Sequence, residues 1–277
     1  MDLQKLCDHM AAAMSGIDLN RPTDPATQAG LRRALNDNLV LCIRGQRLAP
    51  TQFRDAMARF GTPMLRKQLE RTAECAEVNI ISSEDRDELG DGRKLVNGAS
   101  WHTDDSFMRE PCSLTMLYGV VVPSTGGDTQ FVNMYAAYEA LPEATKKRID
   151  GLRAIHAYDT ARARNRPSAR TAQEIAETPD VEHPLVRTHP DNGRKALYLN
   201  FNRLDRIVGM ARAESDALLD ELAAHCRKPE FHYGHQWAVG DAVIWDNRAT
   251  MHRVDVDYPM GEKRVMQRVL IEGDRPF

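Results

Sequence analysis

The segment WHTDDSF carries an imidazole and a carboxylate two residues apart, His102 and Asp104. If that segment is a strand, both side chains project from one face and converge on one point, as two ligands of a metal must. A third ligand has to come from elsewhere. WDNRATMHR supplies His252, just past an apolar strand expected over residues 242–245, where a turn could aim its imidazole inward. Two histidines and one carboxylate on one face of an octahedron leave three positions open. That suits an Fe(II) that must take a cosubstrate and O2 together, whereas closed structural zinc sites leave no such room. H-x-D tripeptides also arise by chance, and a histidine near a strand is more commonly a hydrogen-bonded structural residue. His9, His156, His183, His189, His225, His232 and His235 are further histidines, and His183 and His189 flank an expected strand as closely as His252 follows one. Spacing by itself does not choose among them.

The elements that would position these residues are mostly short strands. Residues 38–45 (NLVLCIRG) form an apolar run ending at a turn, and strand composition returns around residues 78–81, over 113–122 (SLTMLYGVVV) and after the turn PSTGGDTQFV. Further pieces are HPLVRTH, ALYLNF, EFHYGH, DAVIWD and VMQRVLIEG. Helical spacing marks residues 28–35, a helix N-capped by Thr51, the segment MYAAYEAL capped by Asn133, and the amphipathic AESDALLDELAAHC. Many short strands at regular spacing, with helices early or inserted, predict a mainly β protein with flanking helices (α+β): a closed or sandwiched antiparallel core rather than a βαβ sheet. The charged, glycine-bearing stretch 83–100 and the polar stretch 161–182 offer little to a core and are candidate covering segments in a single domain spanning 1–277.

Bulk properties exclude several functions. Basic and acidic residues nearly balance, 37 against 40, so no extended basic surface for nucleic acid is implied. Cys7, Cys42, Cys75, Cys112 and Cys226 are odd in number and never form C-x-x-C, against a disulfide framework or thiolate zinc site and in keeping with a reducing cytoplasm. No apolar run reaches membrane-spanning length, and the N-terminal segment lacks the apolar centre of an export signal, so no membrane association is expected.

Four separated segments taken together resemble the taurine and 2,4-dichlorophenoxyacetate dioxygenase (TauD/TfdA) family of Fe(II)/2-oxoglutarate enzymes: WHTDDSF, PSTGGDTQF, HPLVRTHP, and WDNRATMHRVDVDY followed by RVMQR. Their order, spacing and local chemistry agree over nearly the whole chain. The resemblance implies a double-stranded β-helix, or jelly roll, related to cupins. It implies that His102, Asp104 and His252 are the iron ligands, that Arg264 grips the distal carboxylate of 2-oxoglutarate, and that Thr129 adds a hydroxyl donor. Without that context Arg264 would read as a surface ion pair and Thr129 as an ordinary strand residue. Arg268, four residues beyond Arg264, shares its face on an extended strand; it contacts substrate or lines the cosubstrate pocket, or else makes a buried structural ion pair. The implied cofactors are Fe(II), 2-oxoglutarate as cosubstrate and O2, the implied reaction is hydroxylation of a C–H bond with release of succinate and CO2, and a homo-oligomer is implied as well.

For the primary substrate, the loop after FG reads FGTPMLRKQLE, with Arg66 and Lys67 where taurine-type members carry a His and a Tyr. Taurine itself is therefore disfavoured. Arg66, Lys67, Arg109 and Arg268 favour a small anionic or zwitterionic molecule. Asp105 could repel an anion or recognise an ammonium group near the metal, or cap the next turn facing solvent. Two other readings compete: a cupin-like metal-dependent hydrolase or isomerase, which gives Arg264 and Thr129 no work, and a non-catalytic 2-oxoglutarate-binding protein.

Overall fold

In the computed structural model, which describes residues 2–65, 70–83, 98–162 and 171–277, the apolar runs become strands of a large and a small sheet. The large sheet has seven strands, in the order β1 (Asp2–Lys5), β2 (Ala12–Ser15), β3 (Val40–Ile43), β13 (Ala242–Asp246), β5 (Leu114–Val121), β15 (Arg264–Ile271) and β4 (Asn79–Ser83). The small sheet orders β12 (His232–His235), β6 (Thr129–Asn133) and β14 (Thr250–Val254). All pairings in both are antiparallel except β2 with β3.

Alternation along the central strands explains why the large sheet is apolar on both faces. Val40, Cys42, Val243, Trp245, Leu117 and Met266 join Phe131, Val132 and Met251 of the small sheet in one core. Their neighbours Leu41, Ile43, Ala242, Ile244 and Met116 pack on the other face into a second core. That second core is closed by two helices, α1 (Pro25–Asn38) through Leu31 and Leu35, and α2 (Pro50–Ala58) through Phe53 and Met57. A period of two therefore divides each strand between the core shared by the two sheets and a helix-covered flank. This is the expected jelly roll with flanking helices.

Two smaller sheets brace one end: β11 (Leu204–Ile207), β7 (Arg153–His156) and β8 (Val181–Pro184) form one, and β9 (Val186–Thr188) with β10 (Lys195–Leu197) the other. The remaining helices are α3 (Met134–Glu139), α4 (Glu143–Ile149), α5 (Ala172–Glu177) and α6 (Arg212–Cys226), with a 3-10 turn at Pro229–Phe231. Asn133 caps α3 as expected, its side chain accepting from the Ala136 amide at 3.0 Å. Thr51 does not cap α2. The helix begins at Pro50 with Ala49 before it, because proline's fixed φ suits the first helical position and the Gln52 side chain accepts from the Ala49 amide at 2.7 Å. Of the two candidate covering segments, residues 84–97 and 163–170 lie outside the described residues; α5, at the end of the second, buries none of its side chains.

Candidate active site

His102 and Asp104 do not sit on one strand. His102 makes a single β-bridge with His252, the two backbones exchanging hydrogen bonds of 3.0 Å (His102 N to His252 O) and 2.8 Å (His252 N to His102 O). Asp104 then opens a turn in which Asp105 takes φ 56° and its carbonyl accepts from the Met108 amide. Convergence therefore comes from a bridge followed by a turn, not from strand alternation. His252 lies within β14 opposite Phe131, rather than in a turn after a strand.

The three side chains meet. His102 Nε2 is 3.8 Å from Asp104 Oδ1, and His252 Nε2 is 3.8 Å from Asp104 Oδ2. Both separations are shorter than twice a metal–ligand bond of ~2.1 Å, and one ligand atom from each of the three residues lies within 4.8 Å of the others, a grouping that could hold one metal ion. His102 Nδ1 donates to the Ser100 carbonyl at 2.7 Å, which leaves Nε2 as the lone-pair nitrogen facing Asp104. Gly98, at φ +90°, passes close to this ring, and a Cβ there would stand 3.5 Å from His102 Cε1.

Behind Asp104 is a buried polar network without signal in the sequence. The Thr115 hydroxyl donates to Asp104 Oδ2 at 2.6 Å and accepts from Asn247 Nδ2 at 2.7 Å. Asn247 Oδ1 accepts from Trp245 Nε1 at 3.0 Å, and the Thr103 hydroxyl donates to the Asn247 carbonyl at 2.8 Å. The turn carrying Asp104 is thereby tied to the end of β13 and to β5.

Arg264 is 4% exposed, which rules out the surface-pair reading. Its Nε donates to the Gly127 carbonyl at 3.0 Å and its Nη2 to the Thr129 hydroxyl at 3.2 Å, while that hydroxyl also accepts from Trp237 Nε1 at 2.9 Å. Gly127 is at φ +71°, and a Cβ there would press on Tyr258 and on Arg264 itself. Thr129 and Arg264, separated by more than a hundred residues in sequence, are thus one unit. Arg268 reaches the same cluster, with Nη1 3.7 Å from Asp104 Oδ1.

The model of the taurine catabolism dioxygenase TauD, TfdA family matches residues 2–270. The chain belongs to this family. It is similar to the alpha-ketoglutarate-dependent 2,4-dichlorophenoxyacetate dioxygenase of Cupriavidus pinatubonensis, 34% identical over 95% of each chain. It is also similar to the alpha-ketoglutarate-dependent sulfate ester dioxygenase of Pseudomonas putida, 30% identical over 100% of this chain and 91% of that one. Among solved structures, that of AAD-2 in complex with Mn(II) and N-oxalylglycine superposes with a TM-score of 0.84 and 32% identity, covering 99% of both chains. The protein is an Fe(II)- and 2-oxoglutarate-dependent dioxygenase acting on a small molecule.

The electrostatics of this TauD/TfdA dioxygenase fit a divalent cation. Burial pushes the Asp104 carboxyl up, but His252, Arg268 and His102 outweigh it and bring it down to about 2. Burial, with the His102 ring beside it, pushes the His252 imidazole down to about 3 against the pull of Asp104. At neutral pH the pocket thus presents a carboxylate and an uncharged His252, the forms that ligate metal. Burial lowers Arg264 to about 10, with Tyr258 and Asp128 opposing, so it stays a cation.

Several other histidines of the dioxygenase are held in hydrogen bonds away from this site. His189 Nε2 lies 3.0 Å from Asp246 Oδ2, inside a knot in which Arg248 binds Asp246 and Asp191. His225 and His232 bond backbone carbonyls. Among the described residues one further cluster, Cys42, His235 and Asp241, has metal-like composition. Its Asp241 Oδ2 already receives Arg44 Nη1 at 2.7 Å and the Ala238 amide at 3.1 Å, with His235 Nε2 at 3.1 Å. A cation there would face the guanidinium, so the cluster reads as a buried ion-pair knot. Arg109 is exposed beyond the turn, and Arg66 and Lys67 lie outside the described residues.

Proposed function

We propose that the dioxygenase holds Fe(II) through His102 Nε2, His252 Nε2 and the Asp104 carboxylate, takes the distal carboxylate of 2-oxoglutarate on Arg264 and Thr129, and hydroxylates a C–H bond of a small anionic or zwitterionic substrate near Arg268. The observation that carries this reading is the meeting of two imidazole nitrogens with the separate oxygens of one carboxylate at 3.8 Å, on the inner side of the sheet that bears Arg264 and Arg268. Two neutral nitrogens and one carboxylate are the donor set of an iron that keeps positions open. Bound iron supplies O2 activation and the oxidation of the C–H bond.

The chain's own residues have three tasks. Thr115 and the Ser100 carbonyl orient Asp104 and His102 for ligation. Arg264 offers a fixed, permanently charged fork to a carboxylate. Phe131 and Trp245 pack beside the His252 ring and keep water from that side. A hydrolase on the same ligands would leave the Arg264 and Thr129 pair idle.

An anionic substrate is supported by the Arg268 guanidinium at the metal position and by relatives named for acting on a phenoxyacetate and on sulfate esters. A homo-oligomer in the cytoplasm belongs to the same proposal, and sedimentation of the purified protein tests the assembly. The decisive experiment is anaerobic: Fe(II) with 2-oxoglutarate should give a weak visible charge-transfer band that is lost in His102→Ala and His252→Ala. With air, O2 uptake should match succinate release. A panel in which only neutral compounds stimulate succinate release would overturn the anionic assignment.

A further inference from the structure

We infer that Asn79 is a specificity-determining residue, donating a hydrogen bond from its side-chain amide to the acid group of the primary substrate beside Arg268; this rests on the anionic substrate proposed above. β4 is the last strand of the large sheet, and its register sets Asn79 directly across from Arg268 of β15. Residues directly opposite in an antiparallel pair share a face. That face is the inner one, because Arg268 reaches to 3.7 Å from Asp104 and because Ile81, two residues along from Asn79, lies opposite the core residue Met266. Asn79 therefore stands on the face of β4 from which Arg268 reaches toward Asp104.

The amide nitrogen, Nδ2, is also without a partner among the described residues. Asn79 is 1% exposed. Arg268 Nε, on the same cross-strand row, is likewise buried and unpartnered. Buried donors without acceptors are uncommon because each one destabilises the fold, so two on one row call for an acceptor from outside the chain. On the far side of β4, Arg71 forms a β-bridge with Asn79 and is exposed, extending the row of donors to the rim.

Guanidinium N–H and amide N–H side by side match a group with several acceptor oxygens: a carboxylate, a sulfonate or a sulfate. An ammonium group or a hydrocarbon would leave both donors unmet. The distal carboxylate of 2-oxoglutarate is provided for by Arg264 and Thr129, four residues away along β15, roughly 13 Å at strand spacing. The inference gives Asn79 to the primary substrate, and the separate 2-oxoglutarate measurement below distinguishes this from a contact with the cosubstrate's other carboxylate.

The test compares wild type with Asn79→Leu and Asn79→Asp, using 2,4-dichlorophenoxyacetate and a medium-chain alkyl sulfate as probes, bound anaerobically to protein carrying Fe(II) and 2-oxoglutarate. Asn79→Leu should weaken whichever probe wild type binds by about tenfold or more, with 2-oxoglutarate affinity within about twofold of wild type. Its ligand-free melting temperature should not fall, since the N–H removed had no partner; a structural amide would lower it. Asn79→Asp, which turns the donor into a charged acceptor, should lose more affinity for the acid while gaining affinity for the corresponding primary amide, 2,4-dichlorophenoxyacetamide. Unchanged probe affinity in Asn79→Leu overturns the inference alone, as does an equal loss of probe and 2-oxoglutarate affinity. A wild-type protein that binds neither probe overturns the anionic-substrate reading and the inference together.

Discussion

Asp104 works through a neighbour that touches neither metal nor substrate. Thr115 holds one carboxylate oxygen at 2.6 Å and is itself held by Asn247, so its hydroxyl decides which way the carboxylate points. Thr115→Val, close in shape, is expected to lower Fe(II) affinity roughly tenfold to a hundredfold while leaving the secondary structure intact, which competition against a graded chelator would measure. Arg264 belongs to a different partner, and Arg264→Met is expected to weaken 2-oxoglutarate by about thirtyfold or more, the order lost when one member of a desolvated charged pair is removed. Titration of the anaerobic charge-transfer band reads this, and metal affinity should stay put. The meeting of His102, Asp104 and His252, and of Thr129 with Arg264, was legible because their motifs are distinctive in combination. Thr115 was not: in SLTMLY it is one β-branched strand residue among others, and only its distance to Asp104 gives it a role. Likewise nothing in EVNIISS marks Asn79, whose significance comes from what stands across from it.

Among the elements, β7 and β8 carry His156 and His183, packed ring to ring at 5.2 Å and shielded by Tyr198. Both are buried, and neither His156 nitrogen finds a hydrogen-bond partner among the described residues. Burial pushes the His183 imidazole down to about 4, the Met108 carbonyl opposing, and drives His156 well down too, with His183 adding to the effect. Folded histidines that bind protons less tightly than unfolded ones stabilise the fold fully above the unfolded value near 6.5. That stability drains away as the pH falls toward 4. Denaturant unfolding at pH 7 and pH 5 should therefore differ by about 2 kcal/mol from His183 alone, with His156 acting in the same direction, and His183→Phe should flatten the slope. The strands themselves were largely visible in advance: the runs over residues 38–45, 113–122 and 242–245 became β3, β5 and β13 because continuous apolar sequence suits strands buried on both faces. β1 was not visible, since all four of its residues are exposed and its only warrant is pairing with β2. For His102 and Asp104 the two side chains meet as the tripeptide suggested but through a different geometry, because a bridge and a turn bring i and i+2 together as well as a strand does.

At the scale of the molecule, remote segments are joined by buried charge. Asp246 at the end of β13 gathers His189 and Arg248, and Arg187, 1% exposed, binds both oxygens of Asp274 in the C-terminal segment. The order of the strands could not be read from the chain, because neighbours such as β5 and β15 are far apart in sequence and any antiparallel pairing satisfies the same alternation. The exchange of backbone hydrogen bonds between His102 and His252 bears on how this enzyme lives without its iron. In many small metalloproteins the ion is the rivet that draws distant ligands together, and the chain collapses when a chelator removes it. Here the two imidazoles are stitched to each other through their own peptide groups, so under the ligation proposed above the ion would arrive at a cradle the polypeptide has already woven. Stripping the protein with EDTA should leave its circular dichroism spectrum unchanged and lower the melting temperature only by what simple ligand linkage requires. Adding Fe(II) back under argon should restore turnover without a refolding lag; a chelated sample that loses its β spectrum would refute this picture of a self-supporting cradle.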